Sequence, residues 1–188
     1  TIYHSTPTFY RSFLESLKLL VADAHKKLIS VRAVVMGGEE TKPSDIELYK
    51  RFFSPNCVYV NLYGSTESTI SMQQFIDQQG DNKSRFVTIG YPIANTEILL
   101  LNNDGEESQV YGEIAVRSPH LAIGYWKNPE LSSQVFVEDP EKAGYRLYRT
   151  GDLGRLKADG TIEYLGRKDF QIKIRGFRVE LGEVEVVL

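Results

Sequence analysis

A chain of 188 residues that is 41% hydrophobic and 25% charged has the make-up of an ordinary globular protein and the length of one domain, or of two small units sharing a surface. With 22 Lys and Arg against 25 Asp and Glu the net charge is −3, which argues against a nucleic-acid partner, and no apolar run approaches the ~20 residues that span a membrane. The single cysteine, Cys57, excludes an internal disulfide framework and fits a reducing, cytoplasmic setting. The first residues, Thr1-Ile2-Tyr3-His4, carry neither an initiator Met nor a signal pattern, so the chain reads as a piece of something longer.

In chain order, Tyr10, Phe13, Leu14, Leu17 and Leu20 recur at spacings of three and four, which predicts a helix from Thr8 to about Leu28. Val31 to Met36 is a short β-branched run closed by Gly37-Gly38, a buried strand. Pro43 followed by the capping box Ser44-Asp45-Ile46-Glu47 predicts a helix to about Phe53, and Cys57 to Leu62 a second buried strand. Strand, helix, strand in that order is a parallel right-handed crossover, the unit of an α/β sheet. From about Thr88 the pattern changes to short β-rich runs at Glu97–Leu101, Glu113–Arg117, Arg155–Lys157 and Thr161–Leu165. Turn signals at Asn103-Asp104-Gly105 and Asp159-Gly160 separate them, the latter a strong hairpin signal. The fold class is therefore α/β: a parallel-sheet portion over 1–87, then a small antiparallel, barrel-like subdomain over 88–167. A last strand, Gln171–Ile174, and a helix from Glu180 complete the chain over 168–188.

Four stretches carry candidate chemistry. Asn61-Leu62-Tyr63-Gly64-Ser65-Thr66-Glu67 follows a buried strand, where open α/β sheets bind ligands. Tyr63 offers a flat face for a purine, Gly64 permits a close backbone approach, Thr66 a hydroxyl for phosphate and Glu67 a hard oxygen for Mg²⁺. The same residues also read as a strand-ending turn with a half-buried tyrosine. Gly37-Gly38-Glu39 ends the preceding strand, either as a tight turn or as a second wall of the same crevice. Thr150-Gly151-Asp152 places a carboxylate on a loop, suited to a ribose diol or simply a turn aspartate. Between Tyr164 and Arg178, basic residues alternate with apolar ones: an edge strand guarded against aggregation, or a segment with Arg167 on a ribose or phosphate and Asp169 at a bend between two units. Lys173 and Arg175, two apart, would share a face.

Taken together and in order, these boxes resemble the adenylation domains of nonribosomal peptide synthetases, in the superfamily that includes acyl-CoA ligases and luciferases. Asn61–Glu67 is similar to the aromatic-Gly-Pro-Thr-Glu box, Thr150-Gly151-Asp152 to the ribose-binding Thr-Gly-Asp, and Tyr164–Glu185 to the hinge segment. Gly90-Tyr91-Pro92-Ile93 and the run from Gly112-Glu113-Ile114 to Gly124-Tyr125-Trp126-Lys127-Asn128-Pro129-Glu130 fit the same pattern.

The resemblance implies an ATP-dependent, AMP-forming ligase that adenylates a small carboxylic or amino acid and loads a carrier-protein thiol bearing phosphopantetheine. It implies that Tyr63 stacks on adenine, with Asn61, Gly37 and Gly38 at its edge and Glu39, Gly64 and Tyr164 among the nucleotide contacts. Thr66 would meet the α-phosphate, Glu67 the Mg²⁺, and Asp152 with Arg167 the ribose. An acyl pocket maps onto His4, Val34, Met36, Leu62, Ile70 and Ser71, with a core histidine the slightly favoured reading of His4. Asp169 and Lys173 map onto the hinge to a C-terminal lid. Ser65 departs from the commoner Pro, and Ser118–Gly124 from the Gly-rich form of its box. The family's phosphate loop, the Asp that grips a substrate amino group and the lid are not found in the chain, which by itself is expected not to turn over. An acyl-CoA ligase and a catalytically inactive scaffold stand as alternatives.

Overall fold

The computed structural model describes residues 1–20, 28–80, 86–139, 141–169, 171–174, 177–180 and 185–186, with the side chains of Leu20 and Lys173 outside that set. The chain divides into two compact units, one of residues 1–63, 74–87 and 172–188, the other of 64–73 and 88–171. The fold is mixed α/β.

In the first unit, β1 (Ile2–Ser5), β2 (Ala33–Met36) and β3 (Val58–Ser65) run parallel, with Tyr3 opposite Val34 and Met36 opposite Asn61. Two helices, α1 (Pro7–Leu20) and α2 (Pro43–Phe52), supply the core that these strands need. Tyr10 and Leu14 of α1 and Ile46, Tyr49 and Phe52 of α2 close over Val34, Met36 and Tyr59. Their spacings of three and four put them on one face of each helix, and each large side chain buried this way contributes roughly 1.5–3 kcal/mol. Tyr49 also donates its hydroxyl to the Cys57 carbonyl, and its ring lies 5.5 Å from that of Tyr59. Burial pushes the Cys57 thiol up to about 11.

The helices differ from the sequence reading at their ends. The stretch 21–27 of the expected first helix lies outside the described residues, and Leu28 sits in a bend. Ser44 is not the cap of α2: Pro43 takes the first helical position, Lys42 precedes it, and the Asp45 carboxylate accepts the Lys42 amide at 2.8 Å. The box is shifted because Asp45 is already anchored, buried and clasped by Arg11 at 2.6 and 2.7 Å.

The second unit is antiparallel. Strands β6 (Glu97–Leu101), β7 (Tyr111–Ser118), β9 (Arg146–Leu156) and β10 (Ile162–Arg167) follow the order β10-β9-β7-β6, with β8 (Phe136–Glu138) also on β9. Among the described residues this path is open. The Asp159-Gly160 hairpin joins β9 to β10, Gly160 at φ 81° and the Asp159 carboxylate accepting the Thr161 amide and hydroxyl at 3.0 and 2.7 Å. Val116, Phe136 and Tyr148 form its buried centre, under the short helix α3 (Pro129–Val135) and the preceding loop.

Strand β4 (Thr69–Ile76), which the sequence reading did not contain, follows β3 in a hairpin, and the unit boundary crosses both strands. Met72 and Gln73 of β4 pair in turn with β5 (Tyr91–Pro92). Near the end of the chain, β11 (Gln171–Ile174) and β12 (Phe177–Glu180) form a two-stranded pair. Glu180 therefore ends a strand, whereas Glu185 and Val186, the described residues of the expected helix beyond it, are helical. The rest of that helix falls outside the described residues, as do Arg175 and the Lys173 side chain.

Candidate nucleotide site

The carboxyl ends of β2 and β3 carry the first group of candidate residues. Gly37 lies close to β3: a Cβ there would meet the Leu62 Cβ at 3.4 Å, an ordinary packing contact. Gly38 turns the chain at φ 85°. Glu39 is drawn into a different task from ligand binding, since its Oε2 accepts the amide and hydroxyl of Thr8 at 3.0 and 2.5 Å. It thereby satisfies an orphan donor in the first turn of α1, and its charge sits favourably at the helix N-terminus.

Asn61 is buried, and its Oδ1 accepts the Thr41 hydroxyl at 2.9 Å, which in turn lies 3.2 Å from the Tyr59 hydroxyl. Tyr63 and Leu62 are half-buried. Val34 and Met36, assigned to an acyl pocket from sequence, are fully buried in the core under the helices. On a strand, alternate side chains share a face, and theirs is the helix-covered one. His4 is exposed on β1, which corrects the core-histidine reading.

The second group sits on the β3–β4 hairpin and is shaped differently from the loop expected there. Asn61–Ser65 lies inside β3, and only Thr66, Glu67 and Ser68 form the turn. The backbone that Gly64 admits is the chain's own: a Cβ at that position would fall 1.7 Å from the Thr69 carbonyl oxygen. Thr66 is exposed at the tip. Glu67 is buried, with Tyr125 donating its hydroxyl to Oε1 at 2.8 Å and the Ala122 amide donating to the Glu67 carbonyl at 2.8 Å. Ser71, also buried, donates to Ser68 at 2.9 Å, and Ser68 lies 3.3 Å from Ser65, so a line of hydroxyls braces the turn. Ile70 is largely exposed.

The third group is a bulge in β9, where a loop was expected. Glu113 pairs with Leu153 and Ala115 with Arg149, so Thr150, Gly151 and Asp152 stand opposite Ile114 alone. Bulges re-aim side chains without releasing the strand. Gly151 adopts φ 75°, and a Cβ on it would lie 2.6 Å from the Arg167 guanidinium, so only glycine fits. The Thr150 hydroxyl donates to the Ile114 carbonyl at 2.7 Å and accepts the Asp152 amide at 3.0 Å.

Arg167 then gathers the carboxylates. Its Nη1 donates to Asp152 at 3.1 Å and to the Thr150 carbonyl at 2.8 Å, while Nε and Nη2 grip Asp169. Burial would lower the guanidinium's pKa, but Asp169 and Asp152 outweigh it and raise it above the ordinary arginine value. Tyr164 is half-buried on β10, opposite Gly154.

Two residues important to this geometry escaped the sequence reading. Tyr125, which holds Glu67, lay in a quoted motif but had no role. Glu113 is buried, accepts the Gly151 amide at 3.1 Å, and pairs with Arg149 at 2.7 Å and Lys168 at 2.9 Å. A glutamate beside the apolar run Ile114–Val116 was the available signal.

Comparison with known proteins places this geometry. The chain is similar to tyrocidine synthase 2 of Brevibacillus parabrevis, 45% identical over 161 residues, an alignment covering 85% of the chain and 4% of that protein. Among solved structures it matches an NRPS protein containing adenylation and PCP domains, bound to a vinylsulfonamide inhibitor, with a TM-score of 0.85 at 28% identity over 99% of this chain and 32% of that one. It also matches the Vibrio cholerae adenylation domain AlmE in complex with glycyl-adenosine-5′-phosphate, with a TM-score of 0.82 at 27% identity, over the whole of this chain and 35% of that one. The chain thus spans a minor part of each of these relatives. The family model described as AMP-binding enzyme matches residues 1–126, about two thirds of the sequence, and the chain belongs to that family.

Proposed function

We propose that the full-length protein is an acid-adenylating, AMP-forming ligase of nonribosomal peptide synthesis, acting in the cytoplasm. It activates a small carboxylic or amino acid with ATP and passes the acyl group to the phosphopantetheine thiol of a carrier-protein domain. The observation that carries the reading is the Asp152 carboxylate mounted on the β9 bulge and held by Arg167. A strand-mounted acceptor of fixed position suits a ribose diol better than a loop aspartate does. Similarity to proteins whose names specify adenylation and carrier domains, one with a glycyl-adenylate, supports the same reading.

In this mechanism a carboxylate oxygen of the acid bonds to the α-phosphorus while the bond to the bridging oxygen breaks. Pyrophosphate leaves with that electron pair, and no protein nucleophile takes part. The residues therefore work by orientation and charge. Tyr63 stacks on adenine with Asn61 at the base edge, Asp152 accepts from the ribose hydroxyls, and Arg167 keeps Asp152 in place. Thr66 meets the α-phosphate from the exposed tip of the turn.

Mg²⁺ favours hard oxygen donors and is commonly held by one or two carboxylates, with phosphate and water completing its shell. Glu67 fits that requirement, being buried and fixed by Tyr125, and no group of three or more His, Cys, Asp or Glu among the described residues forms a rival metal cluster. When bound there, Mg²⁺ supplies neutralisation of the phosphate charge.

The test is acid-dependent ATP–pyrophosphate exchange by the full-length protein across a panel of amino and other carboxylic acids. Exchange that requires one acid, or a few related ones, is expected. A protein that binds ATP yet exchanges with no acid would refute the assignment.

A further inference from the structure

We propose that Glu113 is a positioning residue for the ribose site, clamping the β9 bulge so that Asp152 presents its carboxylate to the ribose hydroxyls. The inference rests on the reading of Asp152 as the ribose acceptor. Three chain segments converge on this one carboxylate. Its Oε1 accepts the amide of Gly151, the residue of positive φ at the apex of the bulge, at 3.1 Å. Its Oε2 accepts from Arg149, the last paired residue before the bulge, at 2.7 and 3.3 Å. The same oxygen accepts from Lys168 at 2.9 Å, and the Lys168 amide donates back to the Gly151 carbonyl at 2.9 Å. Lys168 follows Arg167 directly, so the clamp fixes both sides of the Asp152–Arg167 pair.

A carboxylate whose side chain is 7% exposed is an expensive way to fill the interior of a strand, where an apolar residue would pack at lower cost. Its neighbours Ile114, Ala115 and Val116 are apolar and buried. What the carboxylate provides that they cannot is a fixed acceptor for the extra backbone amide a bulge leaves unpaired. Burial would raise the Glu113 pKa, but the bonds from Lys168 and Arg149 outweigh it and hold it below the ordinary glutamate value. The clamp is therefore charged throughout the neutral range.

The experiment compares binding of ATP and of 2′,3′-dideoxy-ATP, which lacks both ribose hydroxyls, to the full-length protein. The wild type should prefer ATP by roughly tenfold or more, the scale of two hydrogen bonds to a charged group. Asp152→Ala should abolish that preference. Glu113→Gln should weaken ATP binding about tenfold and leave the dideoxy nucleotide nearly unchanged, because it loosens the clamp without touching the base or phosphates. Equal losses for both nucleotides in Glu113→Gln would show a merely structural role and overturn the proposal. Should Glu113→Gln fold poorly, Lys168→Met, at a half-exposed position, decides the matter. A loss of about threefold confined to ATP is then expected, and no change, or equal changes for both nucleotides, overturns the proposal. Retention of the ATP preference in Asp152→Ala would instead remove the ribose reading on which the proposal stands.

Discussion

Replacing Tyr125 with Phe isolates one hydrogen bond to the proposed metal-holding carboxylate. The ring would stay, packed 5.7 Å from Phe136 between centroids, so the apolar part of the contact is kept. The loop would also stay, since Arg146 donates to the Ala122 and Ile123 carbonyls at 2.9 and 3.2 Å and the Tyr125 amide donates to Ser132 at 2.8 Å. What is lost is the 2.8 Å bond from the phenol to Glu67 Oε1. A hydrogen bond to a charged, buried acceptor contributes about 1.5–3 kcal/mol, which corresponds to roughly a 10- to 150-fold change if all of it bears on the reaction. Glu67 keeps its backbone tie to Ala122, so part of the orientation survives and the lower half of that range is expected. The assay is ATP–pyrophosphate exchange by the full-length protein at graded Mg²⁺, with thermal unfolding measured alongside. A higher Mg²⁺ requirement with an unchanged melting temperature is the expected result. An unchanged Mg²⁺ dependence would remove Tyr125 from the site, and a fall in melting temperature matching the activity loss would make its role one of packing.

Asp152→Ala should cost ATP use about 2–4 kcal/mol while changing stability little, because Arg167 retains Asp169 and the Thr150 carbonyl; exchange kinetics that keep the wild-type ATP dependence would contradict this. In an acid panel, aliphatic or aromatic acids should be preferred, with discrimination of only about 1–3 kcal/mol per methylene, since Leu62 and Ile70 are the apolar pocket candidates with accessible surface; strict selection of Asp, Glu or Lys would contradict it. Asp169→Pro, which fixes φ near −65° beside the unit boundary, should affect adenylation and carrier loading unequally when the two are measured on the same preparation; equal loss of both would mean general misfolding, and no loss of either would put the pivot elsewhere. Cys57, raised to about 11 by burial, should resist alkylation at neutral pH until the protein unfolds. Because its folded pKa exceeds the unfolded value, this contribution to stability is full below about pH 9 and is lost towards pH 11, so Cys57→Ala should flatten the alkaline fall in melting temperature.

How much of this was legible in the sequence depended on how local the cause was. The crossover from β2 through α2 to β3 was readable because apolar periodicity and glycine pairs are local signals. So was the Asp159-Gly160 hairpin, whose turn chemistry lies within a few residues. Strand β4 was hidden because its alternation is short, Ile70-Ser71-Met72-Gln73, and breaks at Gln74-Phe75-Ile76, and without the strand the preceding box reads as loop. Thr150-Gly151-Asp152 read as a turn because glycine punctuates, whereas its φ of 75° here serves a bulge inside a continuous strand. For Glu113 the local signal, a glutamate beside an apolar run, marks the residue but not its task, because its partners Arg149, Gly151 and Lys168 are 36, 38 and 55 residues away. The displaced cap of α2 belongs to the same class, since the clasp of Arg11 on Asp45 spans 34 residues and overrides the local Ser-x-x-Glu pattern.

The polar connections of the second unit also link two residues that a motif reading keeps apart. Asp152 belongs to the ribose box and Asp169 to the proposed hinge, yet one guanidinium serves both. Arg167 commits Nε and Nη2 to a two-pronged grip of Asp169, leaving Nη1 for Asp152 and the Thr150 carbonyl. A planar fork of this kind holds its partners at fixed angles, so it transmits rotation in a way that a lysine would not. Any rearrangement that carries Asp169 away must either break the two-pronged pair or drag Arg167 with it. In the first case Arg167 keeps Asp152; in the second Asp152 loses the partner that orients it. Asp169 also accepts the Gln171 amide at 3.1 Å, and Gln171 is the last residue of its unit before the chain crosses into the other. On the proposed roles of Asp152 and Asp169, a change of pivot position would alter the nucleotide grip through this single side chain, and a bound ribose that stabilises Asp152 would in turn favour the arrangement in which Arg167 is held.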